Sequence, residues 1–270
     1  MKFIGHTMAI PGMSIEDGIR LFAEIGFDGI EIAAQEGTVF DIQAPQEQID
    51  RIVAASRASH LPIVTLTPYF WHINSHDPAI ARVNIDGLCQ AIRLASAMGA
   101  QFVRSYGGTD KESGTPEQNY QALIAALREA GAVAQQLGIT ILIENHPGTL
   151  TRTGTDTARV IREVGLDCVR ALYDPANVLY DTAEPWETTF QVQDGLIAYV
   201  HCKDYYLRDG KRIACAVGEG IVPWPAIMRK LAGYDGCISF EYEKKWHPDQ
   251  LEDAVTGLPK CRNFIQEVCS

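Results

Sequence analysis

The 270-residue sequence lacks any apolar run close to the roughly 20 residues that a membrane-spanning helix needs. Its first residues run straight into a strand-like segment and lack the apolar core of a secretory signal, so we expect a cytoplasmic protein without a membrane partner. The seven cysteines include no CxxC pair. An odd number of cysteines without a secretion signal predicts reduced thiols rather than a disulfide framework.

Positive charge is also scarce, since 23 Lys and Arg stand against 34 Asp and Glu, for a formal net charge of −11. Nucleic acids and acidic membranes are bound mainly by clustered basic side chains, so this balance argues against a nucleic-acid partner. No Gly-rich nucleotide loop follows the first strand-like segment, which argues against a doubly wound open sheet.

What the sequence does contain is an eightfold alternation of short apolar runs and amphipathic stretches. The apolar runs cover 3–7, 29–33, 62–68, 101–107, 139–147, 169–175, 196–204 and 237–243. The helix-like stretches cover 14–25, 45–58, 78–98, 116–137, 155–164, 185–193, 224–232 and 248–268. Ser14 and Thr115 stand at expected helix starts, and expected helix ends carry Gly26, Gly99, Gly138 and Gly165. Eight such units predict an α/β protein, a (β/α)8 TIM barrel that forms one domain over residues 1–270.

The active site of such a barrel lies at the C-terminal ends of its strands. The last four predicted strands each place a metal-ligand residue type there: Glu144, Asp174, His201 and Glu241. Three carboxylates converging on the barrel axis would repel one another unless they were protonated or bridged by a cation. We therefore expect one divalent metal ion, for which three oxygens and one nitrogen suit Mn²⁺ best, with Mg²⁺, Co²⁺ or Fe²⁺ as alternatives.

Further polar residues near the predicted strand ends are candidates for substrate binding: His6, His72, Arg104, His146, Asn177 and Lys203. His146 and Asn177 could bind hydroxyl groups of the substrate. Lys203 could neutralise an enediolate or a carboxylate, or instead form a salt bridge with Asp204 or Glu241. Three basic residues lie in the loop expected after the seventh strand: Arg208, Lys211 and Arg212. They could bind a phosphate group, or they could equally well belong to a solvated turn.

Five segments together resemble the xylose-isomerase-like barrel superfamily of sugar phosphate isomerases and epimerases over essentially the whole chain. They are IENHP (143–147), YDPAN (173–177), YVHCKD (199–204), GEGIVPW (218–224) and GYDGCISFEYEKKWHP (233–248). The resemblance implies that the four strand-end residues bind the metal and that Glu144 and Glu241 form an acid/base pair. One glutamate would remove the proton next to a carbonyl, the metal would stabilise the enediolate, and the other would return a proton from the opposite face. The implied activity is that of a sugar, keto-sugar or cyclitol isomerase or epimerase.

Other activities within this superfamily stay open. Ketose 3-epimerases commonly have a histidine soon after the ligand aspartate and an arginine after the ligand histidine, which this chain replaces with PAN (175–177) and CKD (202–204). The stretch NHPGTLTRT (145–153) is similar to one in 3-dehydroshikimate dehydratases, so a metal-dependent dehydratase (lyase) of a keto-cyclitol or 3-dehydroshikimate-like substrate is the alternative. An abasic-site endonuclease and a non-catalytic sugar-binding subunit are disfavoured. The expected partners are a small carbohydrate-like substrate and further copies of the chain, in a dimer or tetramer.

Overall fold

The structure, a computed structural model that describes residues 1–269, contains a closed barrel of eight parallel strands. In chain order the barrel strands are β1 (Lys2–His6), β2 (Gly29–Ala34), β3 (Ile63–Pro68), β4 (Phe102–Ser105), β5 (Thr140–Glu144), β6 (Val169–Tyr173), β7 (Ile197–Cys202) and β10 (Cys237–Phe240). The barrel closes where β1 pairs in parallel with both β2 and β10. The (β/α)8 barrel prediction is confirmed, and every predicted strand begins within one residue of the observed one.

The helices alternate with these strands. They are α1 (Ile15–Ile25), α2 (Gln46–Ala58), α3 (Pro78–Met98), α4 (Pro116–Leu137), α5 (Gly154–Val164), α6 (Pro175–Asp181), α7 (Trp186–Val192), α8 (Trp224–Lys230) and α9 (Ala254–Cys269). The Ser14 hydroxyl accepts from Asp17 N and starts α1, while Thr115 and Gln118 form a capping box at α4. The four predicted glycine ends adopt the left-handed conformation, with φ between 68° and 88°.

Three elements differ from the expectations. The segment after β7, expected to be a loop, forms an antiparallel hairpin of β8 (Asp204–Arg208) and β9 (Lys211–Cys215). Its two-residue turn consists of Asp209 and Gly210, whose φ angles of 52° and 72° fit the turn type that matches the twist of paired strands. Helix α6 begins directly after β6, in a segment where no helix was predicted. The last helix, α9, begins at Ala254, whereas the sequence predicted a start at residue 248.

By internal contacts the chain divides into two compact units. One contains residues 1–33, 45–63 and those from 200 onward, and the other contains residues 34–44 and 64–199. In the first unit Gly5 allows close packing of β1, because a Cβ there would lie 2.6 Å from the Phe22 ring. In the second unit Val103, Ile141 and Leu127 are fully buried. None of the helices in residues 1–269 has the length and apolar character needed to span a membrane.

Candidate active site

The four predicted metal ligands lie at the ends of their strands. Glu144 ends β5, Asp174 follows β6, His201 lies in β7 and Glu241 follows β10. All four are buried, with at most 6% exposure. Each offers one ligand atom, and these four atoms lie within 4.8 Å of one another. The chain therefore has a buried acidic and histidine cluster that could bind a metal ion.

A second group with the same close spacing includes Glu31, a residue that the sequence analysis missed. Strand pairing places His6 of β1 beside Glu31 of β2, and His201 belongs to the same group. The Glu31 carboxylate accepts a hydrogen bond from His201 Nε2 at 3.1 Å and lies 3.3 Å from His6 Nε2. Burial raises the pKa of Glu31, but His201 and His6 outweigh it and hold this pKa well below its ordinary value. Glu31 is therefore a buried carboxylate anion.

These bonds decide which nitrogen of each ring carries a proton. His6 Nδ1 accepts from Met8 N at 3.0 Å, so the proton of the neutral ring is on Nε2, facing Glu31. His201 likewise directs Nε2 toward Glu31 and Nδ1 toward Glu241, whose Oε2 is 3.5 Å away. A carboxylate that accepts from one nitrogen of a histidine prepares the other nitrogen to bind a metal. Glu31 thus fixes the orientation of the His201 ring, with Nδ1 directed toward Glu241.

Lys203 pairs with Glu241 rather than with Asp204. Its Nζ lies 2.5 Å from Glu241 Oε2 and 3.5 Å from Glu243 Oε1, and Glu243 also pairs with Arg212. Burial raises the pKa of Glu241, but the positive charge of Lys203 and the contact with His201 lower it by a larger amount. The pKa of Glu241 therefore lies well below its ordinary value. Glu241 is therefore ionised at neutral pH and can accept a proton.

Asp204 has a structural role. Its buried carboxylate accepts from the backbone N–H groups of Tyr205, Gly218, Gly220 and Val222 at 2.9 to 3.3 Å. A Cβ at Gly220 would lie 2.0 Å from the carboxylate, so only glycine fits there. These bonds hold the turn 218–224 against the end of β7.

Glu144 is held by an arginine and an amide. Arg104 Nη1 lies 3.5 Å from Glu144 Oε2, and Asn177 Nδ2 donates to Glu144 Oε1 at 3.2 Å. The Arg104 guanidinium lies 3.8 Å from the ring centre of Tyr106 and 4.7 Å from that of Tyr69. Burial lowers the pKa of Arg104, but Tyr106 and Glu144 raise it by a larger amount. The net shift of the pKa is upward, so the guanidinium stays cationic.

Asp174 is positioned by Asn145, a second residue that the sequence analysis missed. The Asn145 amide donates to Asp174 O at 2.7 Å and accepts from Asp174 N at 2.9 Å. Asp174 Oδ1 accepts from Asn177 N at 2.9 Å and caps α6.

Of the predicted substrate-binding residues, Arg104 and Asn177 contact Glu144, and Lys203 contacts Glu241. His146 lies at the edge of an aromatic group, with its ring centre 4.7 Å from that of Tyr106 and 5.4 Å from that of Trp71. His6 is bound to Glu31. The side chain of His72 is 53% exposed and pairs with Glu112, outside this set of contacts.

Known proteins share this chain's fold and sequence pattern. A family model described as Xylose isomerase-like TIM barrel matches residues 19–261. Fructoselysine 3-epimerase of Shigella flexneri is 24% identical over 276 aligned positions, which cover 99% of each chain. 3-Dehydroshikimate dehydratase of Bacillus anthracis is 23% identical over 85% of this chain and 86% of its own. These relatives are enzymes, one an epimerase and the other a dehydratase.

Solved structures show the same fold. D-Allulose 3-epimerase from Methylomonas sp. superposes with a TM-score of 0.82 at 19% identity, covering 99% of this chain and 98% of its own. A xylose isomerase-like TIM barrel protein from Mycobacterium smegmatis, determined in complex with magnesium, superposes with a TM-score of 0.76 at 19% identity, covering 99% and 96%. At these identities the likeness concerns the fold alone.

Proposed function

Because this chain belongs to the xylose isomerase-like TIM barrel family, we propose that it is a metal-dependent isomerase or epimerase of a keto-sugar or a related cyclitol. The observation that carries the proposal is the buried cluster of Glu144, Asp174, Glu241 and His201. The fold alone would not suffice, because one fold supports many reactions. The epimerase relative, which aligns over its whole length, supports the reaction class.

The donor set fits a divalent ion. Three carboxylates and one imidazole form a hard ligand set that suits Mn²⁺ or Mg²⁺ and lacks the sulfur of structural zinc sites. The magnesium complex of a protein with the same fold agrees with this choice. A bound divalent cation would supply Lewis-acid stabilisation of negative charge on substrate oxygens. His201, held by Glu31, and Asp174, held by Asn145, are preorganised to bind it.

The two glutamates act as the acid and base. Glu241, kept ionised by Lys203, removes the proton from the carbon next to the substrate carbonyl. The electron pair of the broken C–H bond forms the C=C bond of the enediolate while the carbonyl π pair moves to oxygen. Glu144, which begins the turnover protonated, returns its proton to the opposite face of the same carbon. Proton exchange with solvent then restores both glutamates to their starting states. Arg104 holds Glu144 and adds positive charge beside the developing oxyanion. The carbon is thereby inverted without net oxidation or reduction.

The test is solvent exchange. The protein is incubated with Mn²⁺ and a panel of ketoses, ketose phosphates and keto-cyclitols in D2O, and NMR follows deuterium entering next to the carbonyl. Glu144→Gln and Glu241→Gln should each reduce exchange at least ~10²-fold. Glu129→Gln, which removes a surface carboxylate paired with Arg82, should retain the wild-type rate. Absence of exchange across the whole panel, in protein that carries one ion per chain, would contradict the proposal.

Dehydration is the second candidate, favoured by the 3-dehydroshikimate dehydratase relative and by the stretch 145–153 that follows Glu144. It shares the first proton transfer, after which the substrate loses a β-hydroxyl as water. Mass spectrometry of the same reactions separates the two, because dehydration lowers the product mass by one water and epimerisation leaves it unchanged.

A further inference from the structure

A groove of about 870 Å³ lies in the second unit, between the segment that follows β2 and helix α3. Its aromatic wall comes from Tyr69, Phe70 and Trp71, which follow β3. Phe70 packs against α3 at Gly87, where a Cβ would lie 2.3 Å from the ring. The side chain of Gln90 in α3 donates to Ile42 O at 3.0 Å. This hydrogen bond joins the helix to the segment after β2, which forms the opposite wall of the groove. The groove is therefore a formed feature of the fold.

The charge of the groove has one sign. Glu36, Asp41 and Asp86 line it, and no Lys, Arg or His of the described chain is among its lining residues. Asp86 also forms a salt bridge of 2.8 Å with Arg82, a residue that does not line the groove. A partly enclosed surface lined by carboxylates concentrates cations and repels anions.

The aromatic wall connects the groove to the candidate acid/base residue. Trp71 stacks on Tyr106, with ring centres 3.9 Å apart. Tyr69 and Tyr106 hold the guanidinium of Arg104, which pairs with Glu144. The aromatic wall of the groove and Glu144 therefore belong to one continuous set of side-chain contacts.

We propose that the groove binds the far end of an extended substrate, a keto-sugar that carries an alkyl chain with a protonated amine. The inference rests on the proposed function and specifies its substrate class. The volume falls within the range of about 300 to 1,000 Å³ that is typical of pockets for small-molecule ligands. Aromatic faces attract an ammonium group, and the carboxylates add to that attraction.

The experiment compares three synthetic substrates that share one keto-sugar and one chain length but end in an ammonium, a methyl or a carboxylate group. The ammonium substrate should have a kcat/KM about tenfold above the methyl substrate, and the carboxylate substrate should fall below both. Raising NaCl from about 0.05 M to about 0.5 M should remove most of the ammonium preference and leave the methyl substrate unaffected.

Two variants test the location. Asp86→Asn should raise KM for the ammonium substrate about threefold to fivefold, with kcat unchanged and no effect on the methyl substrate. Glu129→Gln is the matched control, because Glu129 pairs with the same Arg82 and does not line the groove. Glu36→Gln combined with Asp86→Asn should abolish most of the ammonium preference. Equal effects of Asp86→Asn and Glu129→Gln would overturn the assignment to this groove.

The outcomes separate this inference from the proposed function. If all three substrates exchange deuterium with equal kcat/KM, the groove proposal fails and the epimerase proposal stands. If no substrate exchanges, the epimerase proposal fails, and calorimetry with the diamine cadaverine then tests the groove alone. Binding that weakens in the Glu36 and Asp86 double variant supports a cation site, and absence of binding overturns it.

Discussion

Replacing Glu31 by Gln removes the carboxylate that accepts a hydrogen bond from His201 and pairs with His6 at 3.3 Å. The amide oxygen of Gln can keep one neutral hydrogen bond, while its NH2 group opposes the second imidazole N–H. Losing one of the two interactions with the histidines costs about 2 kcal/mol, and weakening the other costs about 1 kcal/mol. The free energy of unfolding should therefore fall by about 3 kcal/mol. At about 2 °C per kcal/mol for a chain of this size, Tm should fall by about 6 °C.

The same change should weaken metal binding by about 10-fold to 100-fold, because His201 loses the partner that fixes its orientation. Calorimetric titration with Mn²⁺ measures the affinity, and thermal unfolding of the metal-free protein measures the stability. Asp204→Asn is the control, since it also removes a buried carboxylate, but one that binds only backbone N–H groups. This control should lower Tm and leave Mn²⁺ affinity unchanged. A folded Glu31→Gln protein that binds Mn²⁺ within about twofold of wild type would refute the role assigned to Glu31.

Two other substitutions test how the site is supported. Asn145→Ala removes both hydrogen bonds to the backbone of Asp174 and should lower the free energy of unfolding by about 2 kcal/mol. We expect Tm to fall by about 4 °C and Mn²⁺ to bind more weakly. An unchanged Tm would contradict the role assigned to Asn145. Gly220→Ala places a Cβ 2.0 Å from the carboxylate of Asp204, so the turn must shift at a cost of about 2 kcal/mol. Urea unfolding measures that loss, and wild-type stability would show that the turn is not held as described.

The barrel and the four strand-end residues were predictable because both depend on local pattern. Each βα unit repeats the same order of helix end, glycine and apolar strand, and parallel strands end at the same edge of the barrel. Glu144, for example, directly follows the apolar residues 141–143 (ILI), at a point where a carboxylate has no role in core packing. Its position therefore indicated a site before any distance was known.

Glu31 was missed because its partners are distant in sequence. It lies within β2 (Gly29–Ala34), and the two histidines that contact its carboxylate are 25 and 170 residues away in the sequence. The only local signal was a carboxylate between two isoleucines in a strand that must be buried. Such a residue requires a buried donor, and His6 on the neighbouring strand was available.

The hairpin after β7 was missed although its signal is local. Asp209 and Gly210 separate two short runs rich in β-formers, YYLR and KRIA, and an Asp-Gly pair between such runs predicts a two-residue hairpin turn. Interpreting Arg208, Lys211 and Arg212 as loop residues followed from that omission. The structure pairs Arg212 with Glu243 and places Arg208 on the Tyr206 ring.

The orientation of His146 bears on the choice between the two proposed reactions, epimerisation and dehydration. Its Nδ1 lies 2.7 Å from Pro147 O, and because a carbonyl oxygen can only accept, Nδ1 carries the proton of the neutral ring. Nε2 is then an acceptor, suited to receive a hydrogen bond from a substrate hydroxyl. Expulsion of a β-hydroxyl needs the opposite, a group that donates a proton to the leaving oxygen. In the proposed reaction a His146 of this tautomer would accept from a substrate hydroxyl and leave it on the substrate, so we expect reprotonation at carbon to complete the turnover.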